Sequence, residues 1–168
     1  MPLYLLSAWD PPKAVITKIE RALANFFWGQ KDDKRKFHWC SWSAICLPII
    51  EEGGLGIRSS SDVCITFSMK LWFNIQKGLS LWARFMFGKY CKTRHPIISQ
   101  PGSYSPMWRR LAPCHMLAES FLFWIVGKGH VSLWYDNWCD LDPLYLLMDE
   151  IPSQCSDWRV EDFFVLIK

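Results

Sequence analysis

The most chemically suggestive segment of the sequence is a run of cations followed by aromatic side chains. Its members are Lys31, Lys34, Arg35 and Lys36, then His38, Trp39 and Trp42. Phosphate oxygens favour positive charge and nucleobases stack on indole rings, so this combination suits sequence-tolerant contact with nucleic acid. Trp108, Arg109 and Arg110 repeat the pattern more weakly. The same residues are also compatible with a solvated turn beside a packed aromatic core, and both interpretations stay open at this point.

Two acidic groups have the spacing of metal-dependent chemistry but lack its context. Asp32 and Asp33 are adjacent, as in polymerases that hold two metal ions, yet their charged neighbours predict a flexible loop. Asp136, Asp140 and Asp142 lack the glycine and distal glutamate of a calcium loop, so we expect a solvent-facing turn there. The sequence therefore predicts no catalytic carboxylate pair.

The cysteines do not predict a metal site or a disulfide framework. Seven are scattered along the chain without a Cys-x-x-Cys pair. The spacings of His38 to Cys40 and of Cys91 to His95 each lack a convincing second pair of ligands. We therefore expect no metal and no cofactor, and an intracellular, reducing compartment, with nucleus and cytoplasm both open.

The remaining candidates for catalysis are also weak. The glycines at 53–56 predict a turn rather than a phosphate site, because the segment is short and no strand is predicted before it. Cys114 and His115 are adjacent and would point in different directions on a helix. Without a nucleophile, a phosphate loop or a metal site, the sequence predicts a protein that is not an enzyme.

The patterns along the chain predict a mainly α fold with one β-hairpin, of the α+β class. Apolar spacing and capping residues predict helices at about 12–28, from Ser60 or Ser61 to Gly78, from Ser80 to about 89, and from Ser105 onward with a break at Pro113. Residues 37–46 fit either a short strand or a helical turn. The β-hairpin is predicted from the apolar run 121–126, the turn at 127–129 and the alternation at 131–135.

Charge and composition limit the class of protein. The chain has 168 residues, of which 51% are hydrophobic and 16% aromatic, so it should form a compact core rather than a disordered chain. Residues 1–135 hold 17 Lys and Arg against 8 Asp and Glu, whereas residues 136–168 hold 2 against 8. A basic body suits RNA or DNA as a partner. No apolar stretch reaches the length of a membrane span, and no signal sequence is evident, so we expect no membrane partner.

Several short motifs, in a fixed order over about residues 2–138, resemble the region after the palm in plant non-LTR retrotransposon reverse transcriptases. The motifs are Pro2-Leu3-Tyr4-Leu5-Leu6-Ser7, Pro11-Pro12-Lys13, Ile19-Glu20-Arg21, Asn25-Phe26-Phe27-Trp28-Gly29, His38-Trp39 with Trp42, Cys46-Leu47-Pro48, Glu52-Gly53-Gly54-Leu55-Gly56-Ile57-Arg58, Ser80-Leu81-Trp82-Ala83-Arg84, Ser105-Pro106-Met107-Trp108-Arg109 and Trp134-Tyr135-Asp136-Asn137-Trp138. Each motif is weak alone, and their shared order carries the resemblance. The turn Pro48-Ile49-Ile50-Glu51 departs from the more basic version expected in such proteins.

The resemblance implies a fragment of a larger polyprotein. It assigns residues 1–29 to the end of a thumb-like helical segment and residues 30–138 to a connection region, with a helical hairpin and then the β-hairpin. Residues 139–168 form an acidic tail that leads toward a missing zinc-binding segment. The palm and ribonuclease H segments, with their catalytic carboxylates, would lie outside this chain. The implied function is non-catalytic, helping to hold template and primer; the alternative is a structural or protein-interaction module without nucleic-acid binding.

Overall fold

The computed structural model describes residues 3–29, 37–99, 105–139, 141–152 and 154–166, and these are mainly helical. The α-helices are α1 (Leu3–Ala8), α2 (Lys13–Phe27), α3 (Trp42–Cys46), α4 (Ile49–Glu52), α5 (Ser60–Lys77), α6 (Leu81–Met86), α7 (Pro106–Leu111), α8 (His115–Ser120) and α9 (Val160–Leu166). The chain divides into two compact units, residues 1–68 and 69–168. The boundaries predicted at 29 and 138 stay predictions. No helix within the described ranges is both long enough and apolar enough to cross a membrane.

The first unit is built from short helices and tight turns. Helix α2 forms where apolar spacing predicts it, at Lys13–Phe27. Residues 37–46, for which the sequence allowed a strand or a helical turn, contain helix α3. Ser41 caps this helix by accepting a hydrogen bond from the Ala44 amide at 3.2 Å. This cap places Ile45 in the interior, where it is 2% exposed.

The glycine turn after α4 is a structural element of the first unit. Gly53 adopts a left-handed conformation at the end of α4, and the Gly54 amide donates to the Pro48 carbonyl at 3.1 Å. A Cβ atom at Gly54 would lie 2.0 Å from the Leu47 carbonyl oxygen, so only glycine fits. The following amides of Leu55 and Gly56 also donate to backbone carbonyls. The turn interpretation is therefore confirmed, and these amides are not free to bind phosphate.

The second unit contains the main hydrophobic core. Ser80 caps α6 as predicted, accepting from the Ala83 amide at 3.1 Å, and a π-helical turn follows at Phe87–Cys91. The core joins residues from α5, α6, the π-helical turn, α7 and α8: Trp72, Ile75, Ala83, Met86, Tyr90, Cys91, Trp108, Leu111 and Ala118. Tyr90 stacks on Trp108 with ring centroids 4.6 Å apart. Aromatic side chains thus supply much of this core.

The predicted break at Pro113 is confirmed. Helix α7 begins after Ser105, whose hydroxyl accepts from the Trp108 amide, and it passes into a 3-10 turn at Ala112–Cys114 before α8. Proline lacks the amide that would continue the α-helical hydrogen bonds, which explains the break.

The predicted β-hairpin at 121–135 is wrong. Residues 121–126 form no strand, and the Trp124 amide donates to the carbonyl of Asn137, beyond the predicted second strand, at 2.7 Å. Among the described residues, the single β-bridge instead pairs Ser132 with Arg159 in antiparallel fashion.

Residues of the predicted second strand form backbone hydrogen bonds with a segment close to the carboxyl end. The Leu133 amide donates to the Trp158 carbonyl at 2.9 Å, and the Val160 amide donates to the Val131 carbonyl at 3.0 Å. Gly129, with φ of 85°, allows this approach, because a Cβ there would lie 2.7 Å from the Glu161 Cβ. The bridge is confined to Ser132 and residues 133–135 form a turn, so the alternation at 131–135 does not mark a strand, and the backbone partners of this segment lie far away in sequence rather than across a hairpin turn.

Candidate nucleic-acid interface and a polar cleft

The predicted nucleic-acid site in the first unit consists of a cationic run and the aromatic residues that follow it in sequence. Lys31, Lys34, Arg35 and Lys36, together with Asp32 and Asp33, lie outside the described residues. His38 stacks on Trp28 with centroids 6.0 Å apart, and Trp42 contacts Phe27 edge-on at 6.4 Å. The structure therefore gathers two of the three predicted aromatic site residues with the end of α2.

Two aromatic rings near this group are open to solvent. Phe37 and Trp39 contact each other edge-on at 5.2 Å, yet they are 74% and 79% exposed. Trp42 is half-buried, and its indole Nε1 has no hydrogen-bond partner among the described residues. Exposed aromatic rings at the end of a cationic segment could provide faces for base stacking.

The weaker candidate for phosphate contact is the arginine pair on α7 in the second unit, and only one of its two side chains is exposed. Arg109 is exposed on α7, whereas its neighbour Arg110 is only 7% exposed. Arg109 alone is therefore accessible to a phosphate on this helix.

A polar cleft of about 410 Å³ lies in the second unit, and no sequence pattern predicted it. Its ionisable wall residues are Lys77, Arg94, His95, His130, Asp136, Asp157 and Arg159. Phe87, Trp124 and Tyr135 supply aromatic surface. The cleft thus combines cations, carboxylates and rings in a volume of the size that small ligands occupy.

A histidine and an aspartate form a direct polar contact in this cleft. His95 Nε2 lies 3.1 Å from Asp136 Oδ1, and the other carboxylate oxygen accepts from the Ser132 amide at 2.8 Å. The Ile97 amide donates to His95 Nδ1 at 3.4 Å, so Nδ1 is the acceptor and Nε2 is the nitrogen that donates to Asp136. Tyr135 stacks on the His95 ring at 5.2 Å. Both histidine nitrogens are thus engaged, which makes the pair a fixed wall rather than a free base.

Asp136 corrects the expectation of a solvent-facing acidic turn. It is 7% exposed and fully engaged, whereas Asp142 is exposed and Asp140 lies outside the described residues. The physical reason is that His95 and the Ser132 amide satisfy the carboxylate, which permits burial of its charge.

A second buried carboxylate, Glu119, lies in the same unit. Trp72 Nε1 donates to Glu119 Oε1 at 2.7 Å, and the Gln76 side-chain amide donates to the same oxygen. Glu119 is 3% exposed, and Oε2 has no partner among the described residues. Burial raises the pKa of this carboxyl, while the hydrogen bond from Trp72 opposes the shift.

The adjacent Cys114 and His115 do not form a nucleophile and base. The Cys114 thiol donates to the Leu111 carbonyl at 3.1 Å, and His115 Nδ1 contacts the Ala112 carbonyl. Burial raises the pKa of the Cys114 thiol to about 11, so the thiol is protonated at neutral pH. In the described part of the chain, no group of three or more His, Cys, Asp or Glu residues is placed to hold a metal ion.

Sequence reasoning missed His95, Asp136 and Glu119 as interacting residues. His95 and Asp136 are 41 positions apart, and Glu119 is 47 positions from Trp72. The one available signal was an acidic residue within an aromatic segment, as at Asp136 in Trp134-Tyr135-Asp136-Asn137-Trp138. Such a residue needs a partner when it is buried, but the sequence does not say which.

Comparison with known proteins finds two similar Arabidopsis thaliana sequences. The first, "Putative ribonuclease H protein At1g65750", is 28% identical over 173 aligned residues, which cover 98% of this chain and 28% of that protein. The second, "Uncharacterized mitochondrial protein AtMg00310", is 26% identical over 155 residues, which cover 90% of this chain and 96% of that protein. This chain therefore spans little more than a quarter of the first relative's length. No protein-family model and no solved structure matches.

Proposed function

We propose that the chain derives from a plant non-LTR retrotransposon polyprotein and acts there without catalysis, helping to hold template and primer nucleic acid. The name of the first relative and the order of the short motifs support this origin. The chain would correspond to the thumb and connection region, with palm and ribonuclease H activities supplied by other segments. A reducing intracellular compartment suits its seven free cysteines.

The exposed aromatic pair Phe37 and Trp39 is the single observation that carries the binding function. These rings are at least 74% exposed, although burial of a large aromatic side chain normally stabilises a fold. They follow the cationic run 31–36 directly in sequence. Cations for phosphates and rings for bases are the two components of sequence-tolerant binding.

A titration of labelled RNA–DNA hybrid, followed by fluorescence anisotropy at several salt concentrations, tests this function. Replacing Lys34, Arg35 and Lys36 by Ala should weaken binding. It should also reduce the slope of log affinity against log salt by about one unit for each phosphate that a cation no longer neutralises. Trp39→Ala should weaken binding by about 1–3 kcal/mol if a base stacks on the indole.

A matched control removes three cations elsewhere in the same unit. Lys13, Lys18 and Arg21 are exposed on α2, and their triple Ala variant has the same net charge as the first variant. Equal decreases of affinity in both triple variants would show that binding arises from general electrostatic attraction and not from a site at residues 34–36. Binding that ignores salt would contradict the proposal.

The alternative function is a structural or protein-interaction module, and large exposed apolar side chains favour it. Ile50 is 96% exposed, Ile125 86% and Phe26 84%. Exposed apolar patches often mark a protein interface. Concentration-dependent light scattering together with absence of hybrid binding would support this alternative.

Lack of polymerase activity is part of the main proposal. Purified chain with template, primer, nucleotides and magnesium should extend nothing. Extension that is abolished by changing Asp32 and Asp33 would overturn the non-catalytic assignment.

A further inference from the structure

The polar cleft of the second unit has two cations that no described carboxylate neutralises. Lys77 Nζ lies 4.1 Å from the centroid of the Trp124 ring, and the Arg94 side chain is exposed. Neither side chain forms an ion pair with a described residue. The third cation, Arg159, is only loosely paired, with its Nη1 3.7 Å from Glu161 Oε1. Cations in a cleft that lack a carboxylate partner suit an anionic ligand.

Carboxylates in the same walls argue against a bare inorganic anion. Asp136 is satisfied by His95 and Ser132, but Asp157 accepts no hydrogen bond from the described residues. A small anion in the cleft would meet the negative charge of Asp157. A ligand that carries an anionic group and also N–H donors would contact both the cations and the Asp157 carboxylate.

The aromatic walls add the third requirement. Phe87, Trp124 and Tyr135 line the cleft together with Pro96 and Ile125. Tyr135 is 6% exposed and already stacks on His95, so Phe87 and Trp124 provide the flat surface that favours a planar ring system, and the charged groups around them disfavour a purely apolar ligand. The volume of about 410 Å³ lies within the usual range for small-molecule sites.

The backbone before Arg94 and His95 is held in an unusual conformation. The π-helical turn Phe87–Cys91 ends at Lys92, which has φ of 57° and ψ of −99°. A residue other than glycine in such a conformation costs about 1–3 kcal/mol, and both this strain and π-helical turns concentrate at functional sites. Here the strained turn directly precedes Thr93, Arg94 and His95, which all line the cleft.

We propose that this cleft binds a nucleoside monophosphate, either free or as the terminal nucleotide of a strand. Lys77 and Arg94 hold the phosphate, the aromatic walls contact the base, and Asp157 accepts a hydrogen bond from a base N–H or ribose hydroxyl. The site is independent of the interface proposed above, because its residues belong to the other unit and none of them lies in the 31–42 segment.

Isothermal titration calorimetry on the full chain tests the site, with AMP, GMP, CMP, UMP, adenosine and inorganic phosphate as separate probes. At least one monophosphate should bind more tightly than both phosphate and adenosine. Lys77→Gln and Arg94→Gln should each weaken that binding by about tenfold, as expected for removal of a charge-assisted hydrogen bond.

Asp157→Asn separates a nucleotide site from a simple anion site. Removing this negative charge should strengthen phosphate binding. The ratio of nucleotide affinity to phosphate affinity should therefore decrease. The matched controls are Lys70→Gln, Arg84→Gln and Asp149→Asn, which change exposed charges of the same unit outside the cleft and should leave both affinities unchanged.

Competition between a monophosphate and short oligonucleotides identifies the source of the ligand. Displacement by an oligonucleotide with a terminal phosphate, but not by its dephosphorylated form, assigns the cleft to strand ends; failure of both to compete assigns it to free nucleotide. The proposal is overturned if no monophosphate binds at millimolar concentration, if phosphate binds equally well, or if the cleft and control variants behave alike. None of these outcomes bears on whether RNA–DNA hybrid binds through the 31–42 segment, so the two proposals can fail separately.

Discussion

The two units of this chain differ in whether they bury large aromatic side chains. In residues 69–168, the side chains of Trp72, Trp108 and Leu111 are at most 1% exposed and contribute to one continuous core. Among the residues of 1–68 whose side chains the structure describes, the buried apolar ones are small or medium in size, as at Ala24 and Ile45, while the large rings are exposed or half-buried.

The difference shows that aromatic content alone does not indicate stability. A buried aromatic ring contributes through the area removed from water and through its ring contacts, whereas an exposed ring contributes little of either. We therefore expect the second unit to resist local unfolding more strongly and the first unit to offer more surface for binding.

The largest expected effect comes from truncating a central core ring. Trp108→Ala should cost about 3–5 kcal/mol in free energy of unfolding, because it removes a buried ring that stacks on Tyr90. Trp39→Ala, the same change at an exposed ring of the other unit, should cost no more than about 0.5 kcal/mol. Urea denaturation followed by circular dichroism measures both.

If Trp108→Ala fails to fold, Trp108→Phe provides a milder variant whose destabilisation should still exceed that of Trp39→Ala. Similar destabilisation at positions 39 and 108 would break the comparison between the units.

A smaller effect is expected at the buried carboxyl of the second unit. Because burial raises the pKa of Glu119 above its unfolded value, its contribution to stability is present at acid pH and is lost as pH rises through the folded pKa. Glu119→Gln keeps an oxygen acceptor for Trp72 and removes the charge. Its melting temperature should exceed that of the natural chain at neutral pH, and the gap should narrow toward acid pH.

Thermal melts across this pH range provide the measurement, and Glu150→Gln, at an exposed position, is the control that should show no such trend. A Glu119→Gln variant that is less stable than the natural chain at neutral pH would mean that the charge itself strengthens the contact with Trp72.

Helix caps offer a matched pair of changes across the two units. Ser41 caps α3 in the first unit and Ser80 caps α6 in the second, each through its side-chain oxygen. Ser80→Ala should reduce the global free energy of unfolding by about 1 kcal/mol. Ser41→Ala should act mainly as local opening, visible as faster amide hydrogen exchange in 41–46 rather than as a global change. Equal global effects would indicate that the units unfold together.

The smallest effect concerns thiol reactivity and leaves stability unchanged. Cys40 is exposed in the first unit, whereas burial raises the pKa of the Cys91 thiol in the second unit to about 11. A thiol reagent at neutral pH should therefore modify Cys40 first and Cys91 among the last. Mass spectrometry of partly labelled chain gives the order, and early modification of Cys91 would show that the core opens readily.

Local sequence signals determined most of the helices. The apolar spacing of α2, the range of α5, the Ser80 cap and the break at Pro113 follow from hydrogen bonds and sterics within a few residues, so the sequence contains the necessary information. The turn at Gly53 and Gly54 is also a local feature. Glycine lacks a Cβ atom, so the residue type itself allows the left-handed conformation and the close backbone approach.

Tertiary structure alone decided the pairing of distant segments. The alternation at 131–135 predicted a strand, but residues 133–135 form a turn, and the backbone groups of Val131 and Leu133 bond to 158–160 rather than to the adjacent apolar run, because buried backbone groups are satisfied by whichever segment packing brings near. The burial of Asp136 depends on His95 from 41 positions away, and the same long-range packing creates the cleft. Helical hydrogen bonds are local and therefore readable from sequence, whereas long-range backbone pairing, buried polar contacts and clefts depend on which surfaces meet when the whole chain is folded.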